Sequence, residues 1–293
     1  MTPVDRLAER LGGELGALLM REQAQATELR LRNGQASRLC RMDGSEIAGP
    51  VLDAASMQSI VARLCGDSIY AFEEELRQGY FTAEGGVRVG VCGRTGARSG
   101  AVCCISDVTS LCIRIPREVR GCADALLPLV WREVVHSTLI LSPPGMGKTT
   151  LLRELIRKLS DGGWNVAVAD ERREIAACWN GEAQLDVGAR TDVMDGCPKA
   201  QALPLLIRAC APQVLAADEI GCAADAVALR DARRCGAAVI ATAHASSFDD
   251  ALRRAAIAGI LREKIFDRMV LLGPTPGRIR AAYDCVNGVE IQC

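Results

Sequence analysis

Leu139-Ile140-Leu141-Ser142-Pro143-Pro144-Gly145-Met146-Gly147-Lys148-Thr149-Thr150 decides how the rest of this chain is read. An apolar run of strand length ends in a glycine-bearing turn, and an amphipathic stretch, Leu151–Leu159, follows at once. Strand, glycine turn and helix in that order form the context of a phosphate-binding loop. Gly145 and Gly147 let backbone N–H groups point inward around phosphate oxygens, and the helix start adds partial positive charge. Lys148 then reaches the β- and γ-phosphates, and the Thr149 hydroxyl is placed to ligate Mg2+. The predicted nucleotide-binding set is Ser142, Pro143, Pro144, Gly145, Met146, Gly147, Lys148, Thr149 and Thr150, with ATP and Mg2+ as its ligands. Ser142 stands where the G-x-x-x-x-G-K-[ST] pattern has its first glycine. A small residue suffices there, because the tightest approach falls at Gly145 and Gly147.

Outward from this loop, apolar runs of strand length alternate with helical patterns: Thr138–Leu141, Trp164–Ala169, Val214–Ala217, Ala237–Thr242 and Arg268–Leu272. Runs apolar on both faces belong to a parallel sheet covered by helices. Ligands of such sheets bind at the carboxyl ends of the strands. Val214–Ala217 ends in Asp218-Glu219, where Asp218 fits a Mg2+ ligand acting partly through water and Glu219 the base that polarises the attacking water. A glutamate directly after the aspartate fits the hydrolytic, RecA-like branch of P-loop enzymes. Asp170-Glu171-Arg172-Arg173 and Ala241-Thr242-Ala243-His244-Ala245 lie past two further strands and face the same cleft. A lone histidine is more often structural, but His244 falls where a γ-phosphate sensor would. The Gly- and Asp-rich stretch 179–199 reads as a long loop.

The part before Ser137 has another grammar. Apolar spacing predicts a helix over 4–20, a strand over 28–32 ending at Asn33-Gly34, a partner strand near 37–42, and helices near 54–65 and 68–78. A hairpin follows, Tyr80–Ala83 and Val87–Val91 about Gly85-Gly86, then a strand over Leu111–Ile115. This predicts a smaller α+β domain over 1–116, a linker over 117–122, and a RecA-like P-loop domain of α/β class with a mostly parallel sheet over 123–293, opened by a helix over 123–136. Arg88 and Arg114 sit opposite the apolar faces of their strands, which by itself describes solvated surface arginines equally well.

Composition narrows the function classes. The chain of 293 residues is 49% hydrophobic and 24% charged, and 35 Lys+Arg against 36 Asp+Glu leave a net charge of -1. That excludes a disordered chain and gives no bulk basic charge for nucleic acid. Aromatics at 3% make base-stacking platforms improbable, and no DNA or RNA partner is expected. The 14 cysteines form no C-x-x-C pair and there are only 2 histidines, so the cysteines read as small buried hydrophobes of a reducing cytosol. No signal peptide or membrane-length apolar run occurs, which points to a cytoplasmic chain.

The P-loop, Asp170-Glu171-Arg172, Asp218-Glu219 and the His244 segment together resemble the boxes of the secretion ATPases of type II and type IV machines. Longer strings resemble the stage III sporulation protein AA family in particular: Glu28-Leu29-Arg30-Leu31-Arg32, AFEEELRQGYF from Ala71, GGVRVGVCGR from Gly85, SPPGMGKTTLLRE from Ser142, DVGARTDVMDGCPKA from Asp186 and DEIG from Asp218. The resemblance implies an ATP-hydrolysing motor, a homo-oligomer and hexameric, at the cytoplasmic face of the mother-cell membrane. Its implied partners are membrane proteins of the stage III sporulation channel, with peripheral membrane contact through them. It further implies catalytic places for Lys148, Glu171, Asp218, Glu219 and His244, and γ-phosphate contacts for Arg88 and Arg114. Arg94, Arg190 and Lys199 are weaker candidates for a subunit interface. Two alternatives remain from the residues alone: a nucleic-acid translocating ATPase, and a slow nucleotide-sensing scaffold. The intact Glu219 weighs against the scaffold. Against the translocase stand the balanced charge and a chain ending at Cys293 without an appended domain. Arg132-Glu133-Val134-Val135-His136 matches the R-x-x-x-H spacing of single-strand binders, but it falls in the expected helix before the P-loop strand.

Overall fold

The computed structural model describes residues 2–66, 72–98 and 101–291, and the chain divides into two compact units. The first comprises Met1–Arg117 together with Ala177–Gln184, the second Glu118–Ala176 and Leu185–Cys293. The segment 177–184 thus groups with the first unit although it lies far along the sequence. Trp179 explains why: its ring stacks on Phe72 with centroids 5.6 Å apart and packs against the first unit's core.

In the first unit, α1 (Pro3–Leu11) starts on a Thr2–Asp5 capping box and α2 (Gly13–Glu22) follows directly. The single helix expected over 4–20 is therefore broken. Gly12 sits at φ 65, ψ 179, a conformation essentially confined to glycine, so the helix cannot run through it. The buried leucines Leu7, Leu11, Leu15, Leu18 and Leu19 still share one core, because both helices present their apolar sides to it.

Six strands, β1 (Ala26–Arg32), β2 (Ala36–Arg41), β3 (Glu46–Val51), β4 (Tyr80–Ala83), β5 (Val87–Arg98) and β6 (Ala101–Arg114), form an antiparallel sheet in the order β3-β2-β1-β6-β5-β4. One face buries Leu29, Leu31, Phe81, Val89, Leu111 and Ile113 with α3 (Ala54–Leu64). The other face is polar, in keeping with the alternation along each strand. The helix expected over 68–78 is seen as α4 (Glu73–Arg77); its first part lies outside the described residues.

The second unit opens without the helix expected over 123–136. One short turn, α5 (Leu127–Val130), carries Pro128 at its start, and a Trp131–Val135 bridge then folds the chain back. Arg132 and His136 consequently lie on a turn, not on a helix.

The eight-stranded sheet runs β14-β13-β12-β7-β11-β10-β8-β9. Its parallel part joins β7 (Thr138–Ser142), β8 (Val166–Asp170), β9 (Thr191–Asp195), β10 (Val214–Ala217), β11 (Ala238–His244) and β12 (Arg268–Leu272). The expected loop over 179–199 thus contains an edge strand, β9. Two further antiparallel strands, β13 (Ile279–Asp284) and β14 (Val289–Ile291), extend the other edge. Helices α6 (Lys148–Asp161), α7 (Lys199–Cys210), α8 (Ala223–Arg234), α9 (Phe248–Arg253) and α10 (Ala255–Arg262) complete the unit. Strands β7, β8 and β10 are buried at every position, as their uninterrupted apolar runs require.

Candidate functional site

Parallel register brings the ends of β7, β11, β10 and β8 to one side of the sheet, with Ser142 opposite His244, Ala217 opposite Ala241, and Ala217 also opposite Ala169. The P-loop leaves β7 there. Gly145 and Gly147 take φ 76 and 78, the left-handed region that glycine enters without strain. The Met146 carbonyl accepts a 3.0 Å hydrogen bond from the Gly277 N–H of the β12–β13 connection, which leans on the loop.

Lys148 begins α6 and turns its buried ammonium back under the loop. Its Nζ lies within hydrogen-bond reach of Ser142 O at 3.3 Å, Ser142 Oγ at 3.2 Å and Pro143 O at 3.2 Å. Ser142 at the first-glycine position is therefore an active part of the cradle. Burial pushes the Lys148 pKa down, and the charges of Asp218 and Glu219 offset this in part.

Nζ also lies 3.0 Å from His244 Nδ1, and His244 Nε2 lies 3.2 Å from Glu219 Oε1. The consistent assignment has Lys148 donating to Nδ1 and the Nε2–H donating to Glu219. The second oxygen of Glu219, Oε2, is ion-paired with the Arg172 guanidinium.

Beside this chain, Asp218 accepts from the hydroxyls of Thr149 and Thr242. Thr242 Oγ1 in turn accepts the Glu219 N–H at 2.9 Å, and its carbonyl accepts the Ile220 N–H at 2.8 Å. These bonds tie the chain after β10 to β11 and hold Glu219 at φ 50, a strained conformation for a non-glycine residue. Sequence reasoning missed Thr242. An interior threonine looks like core, and its one signal was sharing a strand face with His244 two residues on.

Thr149 and Asp218 fit Mg2+ through a hydroxyl and a carboxylate oxygen. Among the described residues no group of three or more His, Cys, Asp or Glu side chains forms a metal cage. A two-ligand set suits an ion that keeps waters and phosphate oxygens as its remaining ligands.

Glu171, one strand out, is ion-paired with the nearly buried Lys199 and does not join the Lys148–Glu219 chain. Arg190 hydrogen-bonds Asn165 Oδ1 and Arg94 pairs with Asp107 at 3.3 Å. In the first unit, Arg88 and Arg114 are directly opposed across β5 and β6. Arg88 Cζ stacks 3.9 Å from the Tyr80 ring centroid, and Arg114 Nε lies 3.9 Å from Glu28 Oε2 with its side chain 65% exposed.

A cavity of about 730 Å3 opens at the other, amino end of the parallel strands, beside Trp164, Gln213 and Ala238. The charges around it are already paired, Arg233 with Asp267 and Arg268 with Asp284. Arg132 and His136 line a smaller neighbouring cavity at that end. The polar side chains that converge with the P-loop lie at the opposite, carboxyl end.

The family model described as "Sporulation stage III, protein AA" matches residues 5–290. "Stage III sporulation protein AA" of Bacillus subtilis is 37% identical over 285 residues, covering 95% of this chain and 93% of that protein. Among solved structures, the Legionella pneumophila ATPase DotB superposes with a TM-score of 0.58 at 17% identity, over 95% of this chain and 79% of that one. The pilus retraction motor PilT with bound ADP gives 0.60 at 15% identity, over 87% and 77%. At such identity these two show a shared fold alone, a RecA-like α/β unit following a smaller α+β unit in the chain.

Proposed function

The chain belongs to the sporulation stage III protein AA family, and from that premise we propose that it is an ATP-hydrolysing motor of the secretion-ATPase type. Its work is to power the mother-cell-to-forespore channel of endospore formation. One observation carries the reading: Lys148, His244 and Glu219 are linked in series beside the Thr149–Asp218 pair, on adjoining strand ends. Lys148 neutralises the β- and γ-phosphates, and the P-loop N–H groups bind their oxygens. Thr149 and Asp218 would hold Mg2+, which when bound neutralises phosphate charge. Glu219 accepts a proton from the water whose oxygen attacks the γ-phosphorus, while the bond to the β–γ bridging oxygen breaks and ADP leaves. His244, between Lys148 and Glu219, is placed to register whether a γ-phosphate is present. Glu171, its charge balanced by Lys199, forms the outer acidic edge of the cleft.

Arg88 and Arg114 are read as the further cations such chemistry uses, supplied by the first unit of the same or a neighbouring subunit. The two positions are cross-strand neighbours on one face of the sheet, so one anion can reach both side chains. The assembly proposed is a homo-hexamer held peripherally at the mother-cell membrane by the membrane proteins of the channel. Among the described residues no helix is long and apolar enough to cross a membrane.

Phosphate release measured with and without single-stranded DNA tests the reading against its rivals. The motor hydrolyses ATP at a rate the DNA leaves unchanged. Marked stimulation by DNA favours a translocase, and binding without turnover favours a scaffold.

A further inference from the structure

We propose that Arg172 is a cis arginine of the nucleotide site, which clasps Glu219 and passes to the γ-phosphate when ATP binds. The inference rests on the nucleotide reading above and adds a residue to it.

The turn that carries Arg172 is built rigidly. Strand β8 ends at Asp170, whose carboxylate accepts the N–H groups of Glu174 at 2.9 Å, Ile175 at 3.1 Å and Ala176 at 2.8 Å. Its carbonyl accepts the Gly196 N–H at 3.0 Å. Beneath the turn, the buried Arg153 guanidinium donates to the carbonyls of Glu174 and Ile175. Arg173, at φ 55, pairs with Asp195 at 2.9 Å. Asp170 and the run from Arg173 to Ala176 are thus engaged in holding the turn in place.

Arg172 itself is not so engaged. Its one partner among the described residues is the Glu219 carboxylate, and its side chain is 53% exposed. A single ion pair at that exposure is weak and readily exchanged. A phosphate offers a guanidinium more charge and a bidentate geometry, so it outcompetes a carboxylate for the same arginine.

The phosphate arrives within reach. Lys148 and Glu219 flank the place of the γ-phosphate from two sides, joined through His244. A phosphate there sets its negative charge beside that of Glu219, and the cation able to screen the two already touches Glu219. Both oxygens of Glu219 are engaged, Oε1 by His244 and Oε2 by Arg172. Transfer of Arg172 to the phosphate frees Oε2 for the attacking water. One side chain thereby couples arrival of the γ-phosphate to release of the base.

The experiment is calorimetric titration of the full-length wild type, Arg172→Ala and Arg172→Lys with ADP and with ATPγS, in Mg2+. Thermal melting checks that each protein is folded. The expected result is that Arg172→Ala loses about tenfold or more of its ATPγS affinity while its ADP affinity stays within about twofold, and that Arg172→Lys retains an intermediate preference. An unchanged ATPγS-to-ADP ratio in Arg172→Ala overturns the inference and leaves the nucleotide site standing. Equal loss of both ligands also overturns it, since it marks a structural role. A wild type that binds neither nucleotide overturns both this inference and the function it rests on.

Discussion

Lys148 is the most exposing single position, because its ammonium is buried among neutral acceptors and waits for charge. Lys148→Ala should abolish hydrolysis and weaken ATP binding by about tenfold or more, measured by titration and phosphate release. The depressed pKa adds a sign. Bound phosphates favour the charged ammonium, so its pKa rises on binding. ATP affinity should therefore fall as pH rises through the lowered pKa of Lys148, with proton uptake on binding. Titrations across the alkaline range check this, and an affinity flat over that range would count against it. The P-loop residues could be read from sequence because they act through contiguous backbone. The contacts of Thr242 and Arg172 could not, because they exist only once β11 and β8 bring these side chains to Asp218 and Glu219. The strained φ of Glu219 likewise leaves no trace in a dipeptide.

Among the elements, the parallel strands were legible as apolar runs because burial on both faces demands that composition. Strand β9 was not: Thr191-Asp192-Val193-Met194-Asp195 lies at a sheet edge, half-buried, and its polar residues look like loop. The helix pattern over 123–136 misled because apolar spacing cannot report the Trp131–Val135 bridge. The β8 turn offers an element-scale test. Asp170 satisfies three backbone N–H groups at once, and its loss leaves Ile175 and Ala176 N–H groups buried without acceptors. Asp170→Ala should cost about 3 kcal/mol, read as a lower denaturant midpoint at an unchanged slope. A cost within ~0.5 kcal/mol, the range of ordinary surface substitutions, would show that the turn does not depend on that carboxylate.

At the scale of the molecule, the two-part organisation was legible as a change from alternating antiparallel patterns to strand–helix repeats near Ser137. The return of 177–184 to the first unit was not, since only the packed Trp179 and Phe72 reveal it. That return affects how dependence on the first unit is tested. A fragment beginning at Glu118 would carry Trp179 without the core it packs on, so the full-length double variant Arg88→Ala, Arg114→Ala is the cleaner probe. It should keep ATP affinity and lose turnover by about tenfold or more, and unchanged turnover would remove both arginines from the reaction. The central claim, that Glu219 at the end of β10 is the base of an ATP hydrolase, is tested most directly by phosphate release from the wild type and from Glu219→Gln at saturating ATP and Mg2+. Steady turnover is expected of the wild type and, in Glu219→Gln, retained binding with turnover lowered by about a hundredfold. Equal turnover by the two proteins would contradict it.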